Sequence, residues 1–131
     1  MHYKIIIAGS RDFNDYTVLK QSVYNTLKDR NISKENVEII SGTARGADQL
    51  GERYAQEFGL KLKQFPADWS LGKGAGHIRN KQMAEYARDN GHGVLLAFWD
   101  GKSNGTKSMI GYAQKCGLEV HVFDFSGKEL N

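Results

Sequence analysis

Apolar and polar positions fall along this chain in blocks whose period switches repeatedly between two and three to four. Ile5-Ile6-Ile7-Ala8 and Val94-Leu95-Leu96-Ala97-Phe98 are short, continuously apolar runs, the pattern of strands buried on both faces. Val37-Glu38-Ile39-Ile40 comes close to it. Lys61-Leu62-Lys63-Gln64-Phe65 and Leu118-Glu119-Val120-His121-Val122 alternate instead, and predict the two edges of a sheet. Between these runs lie four helical stripes. Tyr16, Leu19, Val23 and Leu27 form the first; Ala47, Leu50, Tyr54 and Phe58 form the second, with Gly59 as its C-cap. Ile78, Met83 and Ala87 mark the third, and Met109, Ile110, Ala113 and Cys116 the fourth, ended at Gly117.

Strand and helix thus alternate from end to end, which predicts an α/β fold: a doubly wound parallel sheet of about five strands with helices on both faces. Placing the continuously apolar runs centrally and the alternating ones at the edges gives the strand order 3-2-1-4-5. That order has a topological switch point between strands one and four, and ligands of open α/β sheets bind there, beside the carboxyl ends of the strands. No repeat or linker interrupts the 131 residues, which read as a single domain, 1–131. The longest irregular segment is expected from Pro66 to Gly76.

A net charge of +3 permits nucleic-acid binding without arguing for it, and no basic tract is present, so nucleic acid is not the expected partner. No apolar run approaches the ~20 residues of a membrane span, and the chain opens straight into a strand with no leader pattern. The one cysteine, Cys116, excludes an internal disulfide and fits a reducing cytoplasm; its helical apolar neighbours predict a buried, unreactive thiol.

Four glycine-bearing turns carry the candidate chemistry, each following an apolar run and preceding a helical stripe. They are Gly9-Ser10-Arg11-Asp12, Ser41-Gly42-Thr43-Ala44-Arg45-Gly46-Ala47-Asp48, Gly74-Ala75-Gly76-His77-Ile78-Arg79-Asn80, and Asp100-Gly101-Lys102-Ser103-Asn104-Gly105-Thr106. Glycine lets backbone approach a ligand, and helix N-termini present unpaired N–H groups and a partial positive charge, so such turns favour phosphate. Arg11, Arg45 and Arg79 can contact phosphate bidentately, and Lys73, Lys102 and Lys107 add point charge. Ser10, Ser41, Thr43, Ser103 and Thr106 can donate hydroxyls to phosphate or cap their own helices. Asp48 reads as a helix-terminus residue. Asp12 and Asp100, after the two central strands, can bind ribose hydroxyls or act as general acid or base, which with Arg79 makes them the catalytic candidates. Trp69 is the expected stacking platform for a base, Trp99 reads as packing, and His77 reads as structural. Nothing sets a metal geometry, so no metal site and no required cofactor are expected.

In this order, the motifs resemble the SLOG superfamily, specifically its small stand-alone YspA-like, YpsA-related branch. The resemblance rests on Ala8-Gly9-Ser10-Arg11-Asp12-Phe13, on Ser41-Gly42 with Ala44-Arg45-Gly46-Ala47-Asp48, and on Pro66-Ala67-Asp68-Trp69. It continues through Ala75-Gly76 with Arg79-Asn80 and Met83, and through Trp99-Asp100-Gly101 with Ser103, Gly105-Thr106 and Met109-Ile110. It implies a Rossmann-like fold, a homodimer, and a nucleotide or nucleotide-derived ligand of the ADP-ribose or cyclic-nucleotide messenger type. It also implies sensing or sequestration of that ligand in bacterial or phage conflict. The lonely-guy phosphoribohydrolases, more distantly similar, carry Arg-Lys-x-x-Met and Pro-Gly-Gly-x-Gly-Thr-x-x-Glu. Here Arg79 and Met83 match the first motif with Asn80 in place of lysine, and only Gly105 and Thr106 survive of the second. Met109 stands in the position of the catalytic glutamate, so binding is expected over glycosidic hydrolysis, with hydrolysis of an N-glycosidic or phosphate linkage in such a ligand as the alternative. DNA-processing protein A shares the first two turns and the Arg-Asn pair, which makes single-stranded DNA binding a third, minor reading.

Overall fold

The isoleucine run at the start of the chain occupies the middle of a six-stranded sheet and feeds two separate cores with alternate side chains. The computed structural model describes residues 1–130; the expected domain end at Asn131 lies outside them. Strands β1 (Tyr3–Gly9), β2 (Val37–Ser41), β3 (Lys61–Gln64), β4 (His92–Phe98) and β5 (Glu119–Phe123) pair in parallel in the order 3-2-1-4-5. A two-residue β6 (Glu129–Leu130) adds to β5 antiparallel. Helices α1 (Tyr16–Asp29) and α2 (Ala47–Phe58) cover one face, burying Ile5, Ile7, Ile39, Val94, Leu96 and Phe98. Helices α3 (Ala75–Asn90) and α4 (Asn104–Lys115) cover the other, burying Ile6, Ile40, Leu95 and Ala97. β1 and β4 are continuously apolar because both of their faces are covered.

Local chemistry sets the helix ends. Asp15 Oδ1 accepts the Val18 N–H at 3.1 Å and caps α1, and Ser103 stands at the N-cap of α4. Gly59 closes α2 in the left-handed conformation, φ +66°, as its sequence position predicts.

Four expectations need correction. β5 is not an edge: Asp124 Oδ1 accepts the N–H groups of Ser126 and Lys128 and folds the chain back so that β6 covers it. The turn residues carry that signal, because a strand of two exposed residues has no hydrophobic pattern. Ile78 is 45% exposed, five residues and so well over a quarter-turn off the face that Met83 and Ala87 bury; Asn80 and Ala84 take the inward positions instead. Phe58 is exposed at the end of α2, its ring lying against Tyr54. The segment from Pro66 to Gly76 is not irregular throughout: Trp69–Gly74 forms a 3-10 turn started by Asp68, and α3 begins at Ala75, inside the third glycine turn. Cys116 is partly buried against the α3/α4 core.

Gly46, at the start of α2, has φ +89°, and a Cβ there would lie 2.5 Å from the Ser10 carbonyl oxygen and 2.7 Å from that of Arg11. Gly59 also has positive φ but faces open space. Gly46→Ala is therefore expected to lower stability by about 2–4 kcal/mol through strain and overlap together, and Gly59→Ala by about 1–2 kcal/mol through strain alone. Urea unfolding of the two variants measures the difference; equal losses would show that backbone crowding at Gly46 is not the constraint.

Candidate functional site

β1 and β4 end side by side at Gly9 and Phe98, and their following loops separate to opposite faces, which opens the switch point. Ser10 ties the two loops together. Its N–H donates to the Phe98 carbonyl at 2.9 Å, and its buried hydroxyl accepts the Asp100 N–H at 3.2 Å. Beside this junction lies a half-open cleft of about 220 Å³. Its floor is Ala8, Gly9, Met83 and Met109, and its walls carry Arg11, Ala44, Asp48, Arg79 and Asn80. Trp69, Lys73, Gly76 and His77 line one rim, and Ser103, Gly105 and Thr106 at the start of α4 line the other.

Arg79 is the central charge. Nη1 donates to the Gly42 carbonyl and Nε to Asn80 Oδ1 at 3.0 Å, so the guanidinium is fixed by two neutral acceptors. Among the described residues no carboxylate pairs with it directly. Burial lowers its pKa from the usual guanidinium value; nearby Asp48 opposes that shift and Arg11 adds to it. Asn80 is buried, and its Nδ2 reaches the Gly105 carbonyl and Ser108 Oγ, each at 3.3 Å, which fixes the orientation of Arg79 relative to α4.

The side chains of Arg79 and Asp48 close over Gly42, and a larger residue there would push them aside. A Cβ there would lie 2.7 Å from Arg79 Nη1 and 2.8 Å from Asp48 Oδ2. Asp48 projects from the first turn of α2 and is almost wholly buried; its Oδ2 accepts the Ala44 N–H at 3.3 Å. Burial pushes its carboxyl up to about 7. Arg79 and the Ala44 and Gly42 N–H groups pull the other way, and Glu52 adds to the rise.

The α4 wall is a hydroxyl-lined helix N-terminus. Ser103 Oγ faces the Thr106 N–H at 3.5 Å and receives the Thr106 hydroxyl at 3.2 Å. Asp100 Oδ1 accepts the Lys102 and Ser103 N–H groups at 2.8 Å each, and these bonds hold its pKa below the usual carboxylate value. His77 Nδ1 lies 2.7 Å from Ser108 Oγ at the outer rim.

The expected single composite pocket is thus divided. Gly9, Arg11, Trp69, Lys73, Gly76, Arg79, Asn80, Ser103, Gly105 and Thr106 converge on the cleft. Arg45, Gly46 and Asp12 instead line a second groove of about 430 Å³ together with Gln49, and Arg11 borders both spaces. Ser10 and Ser41 are consumed in structure: the Ser41 hydroxyl donates to Glu52 at 2.7 Å and accepts the Thr43 N–H at 3.0 Å. Thr43 turns the chain at φ +64°, Gly42 lies beneath the two charges, and Asp100 and Gly101 shape the β4–α4 turn without lining the cleft. Asp12 and Asp100, the catalytic carboxyl candidates, are therefore outside it. Asp48, read from sequence as a helix-terminus residue, is inside it. So is Met109; Asp48 stands in the second glycine turn and Met109 in the fourth helical stripe, but the inward turn of the Asp48 side chain carries no sequence signal. Trp69 is 60% exposed at the rim, whereas Trp99 is tied by Nε1 to the Ser103 carbonyl at 3.0 Å.

Among the described residues, no helix is long and apolar enough to cross a membrane. The same residues contain no group of three or more His, Cys, Asp or Glu side chains placed to hold a metal ion.

This fold and turn arrangement is that of a family. Residues 3–72 match the model of the YspA, cpYpsA-related SLOG family, and the chain belongs to it. Gene 61 protein of Mycobacterium phage D29 is 35% identical over 127 residues, spanning 92% of this chain and 95% of the phage protein. The crystal structure of DNA processing protein A from Streptococcus pneumoniae superposes with a TM-score of 0.70 at 14% identity, covering 94% of this chain. The chain spans about half the length of that protein, 50%, and the likeness is one of fold.

The raised pKa of Asp48 has a sign for stability. An unfolded aspartate titrates near its ordinary value of 3.8, whereas the folded one holds its proton up to about 7. The folded state binds more protons between those values, so this group's contribution to stability is full below about pH 4 and declines as pH rises towards 7. The expected slope is about 1 kcal/mol per pH unit across that window. Asp48→Asn should flatten the profile by that amount in urea unfolding measured from about pH 4 to about pH 7. Parallel profiles for the two proteins would mean that Asp48 titrates normally.

Proposed function

We propose that the protein binds a nucleotide or nucleotide-derived small molecule through its phosphate in the Arg79 cleft, as a sensing or sequestering protein. The observation that carries this reading is the half-buried guanidinium of Arg79, held by neutral acceptors, with Arg11 beside it and a helix N-terminus opposite. A desolvated cation without a direct counter-charge favours an anion, and the α4 terminus adds N–H groups and hydroxyls of the kind phosphate takes. A space of 220 Å³ suits the phosphate and sugar, leaving the base to stack on the exposed face of Trp69. A longer ligand of the ADP-ribose type would pass Arg11 into the adjoining groove, where Arg45 offers a second cation.

Binding is favoured over glycosidic hydrolysis because the motif resemblance aligns Met109, a buried thioether lining the cleft, with the related hydrolases' glutamate. The family resemblance supports a role in conflict between phage and bacterium and a cytoplasmic homodimer or higher homo-oligomer. Single-stranded DNA is the second reading. The expectation against nucleic acid gains nothing from the fold, since the structural neighbour is a DNA-processing protein.

Arg79→Ala should weaken ADP-ribose or nucleoside monophosphate binding at least about tenfold, as loss of a charge-assisted bond costs about 1.5–3 kcal/mol. Calorimetry on the folded variant checks this, and unchanged affinity would remove Arg79 from the site. Incubation of the wild-type protein with the same ligands should release no free base by chromatography; turnover would establish a hydrolase. Binding of oligodeoxynucleotides alone, with steep salt dependence, would replace both readings by the single-strand one.

A further inference from the structure

Asp48 is the only carboxyl side chain among the described residues that line the cleft. It is 5% exposed, it shares the face of Gly42 with Arg79, and its oxygens receive backbone N–H groups without forming a direct ion pair. An anion resting on Arg79 must therefore sit beside this carboxyl group in a poorly hydrated space. Two negative charges so placed cannot both persist, and the group with the smaller cost of neutralisation takes a proton. A nucleotide diphosphate diester is too acidic to do so near neutrality, which leaves Asp48.

We propose that Asp48 is a ligand-binding residue that works as a neutral acid: when a phosphate settles on Arg79, Asp48 takes one proton from solvent and donates it in a hydrogen bond to a ligand oxygen. This rests on the reading of the cleft as a phosphate site and adds a specific residue and a proton stoichiometry to it. No bond of the ligand is made or broken; the proton moves from water or buffer to a carboxylate oxygen. The surrounding charges set how readily this happens. Arg79 on α3 and the backbone N–H groups of Ala44 and Gly42 favour the carboxylate, while Glu52 one turn along α2 favours the acid; Arg11, from the β1–α1 loop, acts on Arg79. Lys73 and His77 line the same cleft from the segment that leads into α3 and from α3 itself. In the free cleft the balance already holds the carboxyl up to about 7, so the ligand's charge needs only to carry it further.

The direct test is calorimetry of ADP-ribose binding in buffers of different ionisation enthalpy, across about pH 5 to about pH 9. ADP-ribose suits the purpose because its diphosphate diester does not titrate in this range, whereas a phosphate monoester does, near pH 6. The expected uptake approaches about one proton per ligand near pH 8 and vanishes near pH 5, where Asp48 is already protonated. Affinity should fall by up to about tenfold per pH unit on the alkaline side. Asp48→Asn should bind with neither proton uptake nor this pH dependence. Binding by the wild type with no uptake overturns the proposal and leaves the phosphate site standing; absence of binding by ADP-ribose and by nucleoside monophosphates alike, at every pH, overturns both. Uptake that persists in Asp48→Asn and disappears in His77→Gln would transfer the role to His77. If Asp48→Asn does not fold, carbon-detected NMR of the wild-type Asp48 carboxyl replaces it: the titration midpoint must rise on adding ADP-ribose, and an unmoved midpoint overturns the assignment.

Discussion

The hydrogen bond from Arg79 Nη1 to the Gly42 carbonyl joins the two halves of the molecule at the point where their chemistry meets. Arg79 belongs to α3 on one face of the sheet, and Gly42 belongs to the turn leading into α2 on the other. The absence of a side chain at residue 42 leaves room for this approach, and the bond holds a guanidinium in the cleft without neutralising it. Asn80 completes the arrangement, accepting from Arg79 Nε on one side and donating to the Gly105 carbonyl of α4 on the other. A single Arg-Asn step on α3 thereby positions the cation, the β2–α2 turn and the α4 terminus together.

That arrangement opposes stability. Arg79 is desolvated beside Arg11, and Asp48 is buried with a carboxyl that resists ionisation. Each would be more comfortable in water or in a direct pair, and neither arrangement is adopted. The continuous apolar faces of β1 and β4, buried on both sides, supply the stabilisation that such a site requires. The strain is local to the switch point, where the loops diverge and backbone is available to a ligand.

Strand order and helix number were legible because burial differs between central and edge strands, and that difference is written directly in hydrophobic period. β6 was not, since two exposed residues, Glu129 and Leu130, make no hydrophobic pattern and their strand depends on the Asp124 turn rather than on a core. That Arg79, Asn80, Gly105 and Thr106 gather at one cleft was legible because their glycine-bearing turns follow strands one and four or start the helices beside them. That Arg45 and Asp12 line the adjoining groove was not legible, because a turn motif states which residues are near the sheet's carboxyl edge, not which side of Arg11 they fall on. Asp48 was read as a helix-terminus residue for the same reason: its position at the start of α2 is explicit in the sequence, and the inward direction of its side chain arises only when Gly42 and Arg79 pack against it.

The most direct measurement is a crystal structure of the protein with ADP-ribose bound. The diphosphate should lie over the carboxyl ends of β1 and β4, with an oxygen in contact with the Arg79 guanidinium and another at the Ser103–Thr106 end of α4. Density for the ligand at the opposite edge of the sheet, or against α4 away from Gly9 and Gly105, would contradict the assignment of this cleft.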